Sequence, residues 1–187
     1  MNHKNCIAHF MVRKELGIPL GDFDHLLIFN HLSLLDQEEL ESLERFDLDR
    51  NQIQSIPKEI GELKNLKWFD LRNNQLQSIP KEIEELKSLE WFDLEINQLQ
   101  SLPKEIGKLK SLERLHLSNN QLQSLPKEIG ELKSLKRFYL QSNQLQSIPK
   151  EIGELKSLEW LDLENNQISK QHQEEIRSWL PNCRIYF

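Results

Sequence analysis

Residues Leu66 to Ser88 read LKWFDLRNNQLQSIPKEIEELKS, and Leu89 to Ser111 read LEWFDLEINQLQSLPKEIGKLKS. The two stretches are nearly the same text. The period runs in both directions: Leu43, Leu66, Leu89, Leu112, Leu135 and Leu158 each stand 23 residues from the next. A fixed period of this length is the signature of a stacked repeat, in which each unit leaves an apolar stripe that only its neighbours can cover. The sixth copy breaks off after Ile168, and Ser169 to Phe187 leave the pattern.

Each copy has two halves. The first is L-x-x-(L/F)-x-L-x-x-N-x-L, with apolar residues alternating at its fourth and sixth positions, as in Phe69 and Leu71. That is strand periodicity. The second half is (I/L)-P-x-x-I-x-x-L, as in Ile79, Pro80, Ile83 and Leu86. Its spacing of three to four is helical, and a single turn or 3-10 segment satisfies it. A proline at the start suits a first turn, where no backbone donor is needed. Leu66, Phe69, Leu71, Leu76, Ile79, Ile83 and Leu86, with their counterparts, are expected to point inward. Asn51, Asn74, Asn97, Asn120, Asn143 and Asn166 form one column. A buried amide is costly unless bonded, so the column reads as a structural ladder to backbone groups where the strand turns away.

This pattern resembles the leucine-rich-repeat family in its bacterial form, with an LPKEIGxLxxL second half, and its wording is similar to that of leptospiral members. The ending LPNCRIYF resembles the closing segment of that group. The resemblance covers Leu43 to Phe187. It implies an α/β fold: a right-handed solenoid with a parallel concave β-sheet and short helical or 3-10 convex segments. Six strands about 4.8 Å apart would span roughly 24 Å. For function the resemblance implies a protein-binding module, with contact to host proteins or cell surfaces as the role it carries over. A shared fold does not by itself transfer function.

Three regions follow. Residues 43–168 hold six repeats, the last incomplete. Residues 169–187 form a C-terminal cap: SKQHQEEIRSWL reads as a helix with Ser169 as N-cap and Pro181 just past its end. The alternation of Cys183, Ile185 and Phe187 predicts an added edge strand. Trp179 and Cys183 are expected to cover the last repeat's apolar edge, with Cys183 as a small core residue. Residues 1–42 read as an N-terminal segment with a degenerate capping repeat, in which Leu26 to Phe29 suggest a strand and Asn30-x-Leu32 echoes the repeat.

Variation between copies concentrates at the third, fifth, seventh and eighth positions. On an alternating strand the third and fifth face away from the core, onto the concave side. The third column is Arg45, Trp68, Trp91, Arg114, Arg137 and Trp160, and the fifth is Asp47, Asp70, Asp93, His116, Tyr139 and Asp162. The seventh column adds Arg72 and Glu95. These residues are the candidate binding surface. Trp, Tyr and Arg are the types enriched at binding hot spots, and an exposed aromatic row needs a reason. Either a partner covers the tryptophans, or they stack on one another across strands for about 0.5–1.5 kcal/mol with no ligand. Acidic residues of the third and sixth repeats, beside Arg114, His116, Lys136 and Arg137, imply a partner of mixed charge with an aromatic or aliphatic anchor. The Lys-Glu text of each PKEI is uniform and reads as a solvated convex face.

Other classes fit poorly. The 187 residues carry 24 basic and 30 acidic side chains, a net charge of −6, with the signs interspersed. That excludes a concentrated basic field for nucleic acid. No apolar run reaches the ~20 residues of a membrane span. Two cysteines near opposite ends give no disulfide framework. The first residues lack a small-residue cleavage site, so no Sec-type signal is read, leaving the cytoplasm or an unconventional export route. No phosphate-cradling loop, nucleophile elbow or HExxH is present, so no enzyme and no cofactor is expected. His3, Cys6 and His9 are zinc-ligand types within seven residues, but their spacing matches no standard zinc motif. The partner expected is a protein. Pairing of copies through an imperfectly capped terminal repeat is the structural alternative.

Overall fold

The computed structural model describes residues 42–187. The expected capping repeat, apart from Ser42, and the group His3, Cys6 and His9 lie outside the described residues.

Seven parallel strands follow one another in a single sheet in chain order. They are β1 (Arg45–Asp47), β2 (Trp68–Asp70), β3 (Trp91–Asp93), β4 (Arg114–His116), β5 (Arg137–Tyr139), β6 (Trp160–Asp162) and β7 (Arg184–Tyr186). Register follows the 23-residue period: Trp68 pairs Trp91 and Phe69 pairs Phe92. The strands are three residues long because only the alternating core of each repeat can stay in register with both neighbours before the asparagine turn begins. On the inner side Phe46, Phe69 and Phe92 stack successively, with centroids 5.6 and 5.4 Å apart. The expected inward column is buried throughout, as Leu66, Phe69, Leu71, Leu76, Ile79, Ile83 and Leu86 illustrate. Burial of side chains like these contributes ~1.5–3 kcal/mol each before chain entropy is charged against it.

The outer half of each repeat is a five-residue 3-10 segment, the first being Lys58–Glu62 and the last Lys150–Glu154. Two successive tight turns close it, as the Ile60 N–H returns to the Pro57 carbonyl and the Leu63 N–H to that of Ile60, each at 3.2 Å, and a segment this short suits the 3-10 form. These segments approach closely: a Cβ placed on Gly130 would overlap the carbonyl oxygen of Glu151. The convex charges pair between repeats rather than within PKEI. Lys64 reaches Glu85 at 2.7 Å and Lys110 reaches Glu131 at 2.8 Å.

The asparagine column is a ladder. Asn74 donates from Nδ2 to the carbonyls of Leu48 (2.8 Å) and Leu71 (2.9 Å), and its Oδ1 accepts from the N–H groups of Asn51 (3.0 Å) and Ile53 (2.9 Å). Asn97, Asn120, Asn143 and Asn166 repeat both donations, and their Oδ1 atoms accept from one N–H each, of Leu76, Leu99, Leu122 and Leu145. At the C-terminal end the Ser169 hydroxyl accepts from His172 N–H and opens α1 (Lys170–Trp179). His172 locks the cap to the last full repeat, its Nε2 accepting from Ile148 N–H at 3.0 Å. Trp179, Cys183, Ile185 and Phe187 pack on the core. Burial pushes the Cys183 thiol up to about 11, so it stays protonated and serves as packing.

Candidate functional site

Strand alternation turns the third and fifth positions of every repeat onto the sheet's outer face, and the third-position residues form a row. Arg45 lies over the Trp68 ring at 4.3 Å. Trp68 and Trp91 stack face to face with centroids 4.4 Å apart and planes within 1°. Arg114 and Arg137 come next in register, then Trp160, then Arg184 of the cap strand. The tryptophans are half-buried by this stacking, while Arg45, Arg114, Arg137 and Arg184 are exposed. Trp68 is thus covered by Arg45 and by Trp91, and the rings of the row keep only part of their surface open. A shallow cleft of about 410 Å³ is lined by Trp68, Glu90, Trp91, Glu113 and Arg114.

The fifth-position row departs from the expectation of a fully solvent-facing column. Asp70 and Asp93 are only 3% and 2% exposed. Their carboxylates turn back to the chain: Asp70 Oδ1 accepts from Arg72 N–H and Asp93 Oδ1 from Glu95 N–H, each at 2.9 Å. Asp47 and Asp162 make the same bond to Asp49 and Glu164 at 3.1 Å. The aspartates therefore close the turn after each strand. Under the flanking side chains, burial raises the pKa of Asp70 and pushes Asp93 up to about 7. His116, at the same position of β4, is pushed down to about 4 by burial and by the cations Arg114, Arg72 and Arg137. Its Nδ1 stands 3.7 Å from Asp93 Oδ2, and its ring leans on Tyr139 with centroids 4.1 Å apart.

Arg72 is likewise not a free cation. It spans Asp49 (Nη2 to Oδ2, 3.4 Å) and Asp70 (3.9 Å), and these acids raise its pKa. The arginines of the C-terminal half differ. Among the described residues, no ion pair is formed by Arg114, Arg137 or Arg184.

Sequence reasoning missed two contributors. Ile96, the eighth residue of its repeat, is 45% exposed and sits at φ 53. The corresponding Asn73, Asn119 and Asn165 hold φ 55–56, a left-handed conformation that asparagine tolerates and a β-branched residue does not. The signal was present as the one isoleucine in a column that is otherwise Arg, Asn and Ser. Arg184 was missed because the cap has no repeat text to align it with Trp160.

A row of three-residue strands, an asparagine ladder and one variable outer face define a solenoid that presents an open sheet face. The chain belongs to the leucine-rich-repeat family: a family profile described as leucine-rich repeat region matches residues 85–179, half of the chain, and one described as leucine rich repeat matches residues 41–99. No curated protein matched. Among solved structures, a leucine-rich-repeat protein of Leptospira interrogans is 32% identical over 81% of this chain and 62% of its own, with a TM-score of 0.39. An internalin of Listeria monocytogenes is 24% identical over 80% of this chain and 42% of its own, with a TM-score of 0.67. The leucine-rich-repeat ectodomain of a plant membrane receptor kinase of Arabidopsis thaliana, in complex with Casparian strip integrity factor 2, is 34% identical over 76% of this chain. There the TM-score is 0.65, and the match spans 18% of the receptor chain. This chain thus spans less than two thirds of each of the three. Among the described residues no helix is long and apolar enough to cross a membrane.

Proposed function

We propose that this chain is a non-enzymatic binding module that holds a protein partner against its sheet face. One observation carries the reading. The PKEI text of the convex side is the same in each copy and Lys64, Lys110 and Lys133 pair there with glutamates of the next repeat, whereas the sheet face carries a half-open tryptophan stack beside arginines that have no ion pair among the described residues. Such anchors cost free energy to leave in water and are recovered when a partner covers them. Arg45, Trp68, Trp91, Arg114, Arg137, Tyr139 and Trp160 form the contacting set. Asp70 and Asp93 act beneath it as turn-closing groups. Ile96 adds an apolar point at the rim, where a strained, exposed side chain is retained at a cost to the fold. The receptor ectodomain solved with a bound partner supports the same use of this architecture. Contact with host proteins is the role that the likeness to bacterial repeats brings to this reading.

The test is substitution of Trp68, Trp91 and Arg114 together with Ala, using intact and substituted chains as baits. Partners retained by the intact chain are expected to be lost from the variant, while its circular dichroism stays the same. Retention of the same partners by a folded variant overturns the reading.

A further inference from the structure

The C-terminal end of the sheet face holds a cleft of about 590 Å³ lined by Arg137, Tyr139, Glu159, Trp160, Asn182 and Arg184. It is built by three strands. Register places Arg137 of β5 and Arg184 of β7 on the two sides of Trp160 in β6, so the two side chains leave the backbone about two strand spacings apart, roughly 10 Å. That gap admits one planar anionic group with a guanidinium on each side.

Three features mark the cleft. Both arginines are exposed and, among the described residues, form no ion pair, unlike Arg72, which is held by Asp49 and Asp70. Glu159 is the single acid of the lining, which leaves one net positive charge. The indole Nε1 of Trp160 is one of two buried side-chain polar atoms without a hydrogen-bond partner among the described residues. A buried donor with no acceptor is a standing cost that an incoming oxygen removes. Beside it Tyr186 stacks on the Trp160 ring with centroids 4.5 Å apart, is 38% exposed and sits at the end of the edge strand.

We propose that this cleft is the carboxylate-binding subsite of the sheet face, taking an acidic residue or a free C-terminal carboxylate of an extended peptide segment of the partner. Arg137 and Arg184 donate to the carboxylate oxygens from opposite sides, since a guanidinium fork matches carboxylate geometry. Trp160 Nε1 donates to the same group or to the adjoining carbonyl once Tyr186 moves aside, and the Asn182 amide supplies a donor at the rim. Glu159 accepts from peptide N–H groups and fixes the direction of the segment. The inference rests on the sheet-face reading and deepens it by assigning a partner chemistry to one end.

Indole and arginine side-chain N–H signals of the ¹⁵N-labelled chain report the site directly, with Trp160 assigned through Trp160→Phe. Three blocked glycine peptides serve as probes: one with a central glutamate pair, one with a free C-terminus, and one with a central glutamine pair and amidated end. The first two distinguish side-chain from terminal carboxylate. A saturable shift of the Trp160 indole signal with either carboxylate probe is expected, with none from the glutamine probe. In Arg137→Gln/Arg184→Gln, affinity should fall about tenfold or more, the loss of two charge-assisted bonds. Lys150→Gln, an exposed cation of the convex 3-10 segment Lys150–Glu154, should leave it unchanged. No saturable shift with either carboxylate probe, or an equal shift with the glutamine probe, overturns the proposal. The two readings also fail separately. If the Trp68, Trp91, Arg114 variant loses its partner while Arg137→Gln/Arg184→Gln keeps it at full affinity, the sheet face binds but this subsite does not.

Discussion

Trp68 and Trp91 lie one strand apart with their rings 4.4 Å centroid to centroid and parallel within 1°, and the Arg45 guanidinium caps the outer ring at 4.3 Å. The two readings of the tryptophan row therefore hold in different parts of the same side chains: the stacked faces are used within the protein, both of them in Trp68, and the half-buried rings leave the rest for contact. Stacking holds the indoles in place before any partner arrives, which reduces the ordering cost of binding.

That stacking is measurable. A double-mutant cycle of Trp68→Ala and Trp91→Ala, followed by urea unfolding, should give a coupling of about 0.5–1.5 kcal/mol. A coupling indistinguishable from zero would mean that the rings contribute nothing to one another.

The asparagine ladder carries a larger penalty. Asn120 donates from Nδ2 to the carbonyls of Leu94 (2.9 Å) and Leu117 (3.0 Å), and accepts from Leu99 N–H at 3.0 Å through Oδ1. Replacing it with Ala orphans the buried Leu99 N–H, at about 1–3 kcal/mol, and leaves the Leu94 and Leu117 carbonyls with one amide donor each, from Asn97 and Asn143. A destabilisation of about 2 kcal/mol in chemical denaturation is expected. A loss below about 1 kcal/mol would show that water takes over the bonds.

Asp93 and His116 make opposite contributions to the dependence of stability on pH. The folded Asp93 carboxyl titrates at about 7, above its ordinary 3.8, so its stabilising contribution is full below about 4 and is lost as pH rises to about 7. The folded His116 imidazole titrates at about 4, below its ordinary 6.5, so its contribution is present above about 6.5 and is lost as pH falls to about 4. Together they nearly cancel: between these limits the folded chain keeps one proton on Asp93 and the unfolded chain keeps one on the imidazole. Single substitutions should uncover the two slopes. His116→Gln is expected to lose stability as pH rises from about 4 to about 7, and Asp93→Asn as pH falls from about 6.5 to about 4, each by up to about 1.4 kcal/mol per pH unit. Denaturation midpoints across this range decide it, and slopes of the same sign in both variants would refute the assignment.

Ile96 keeps a left-handed backbone at φ 53 and leaves 45% of its surface in water. Replacement with Asn, the residue at the same place in three other repeats, should raise stability by about 1 kcal/mol. If Ile96 is a rim contact, the same change weakens partner capture. A melting temperature that falls would show that the isoleucine packs better than its exposure implies.

The repeat, the strand positions, the buried columns and the asparagine ladder were all legible in the chain. The helix opened by Ser169 and the edge strand at Ile185 were legible too. Each is written locally: alternation selects the inward residue, and the 23-residue period aligns it with its copies. Accessibility on the sheet face is of another kind, because it depends on residues one whole repeat away. Asp70 and Asp93 sit at positions that alternation turns outward, yet neighbouring side chains cover them and their carboxylates bond the backbone two residues on. Arg72 looks like Arg114 in text but is held by Asp49. Arg184 joins Arg137 beside Trp160 only because the cap strand continues the register without continuing the repeat. The sequence by itself determined the solenoid and the face it presents, since both follow from local periodicity. Only the tertiary structure decided which side chains on that face remain free, since that depends on what neighbouring strands set beside each one.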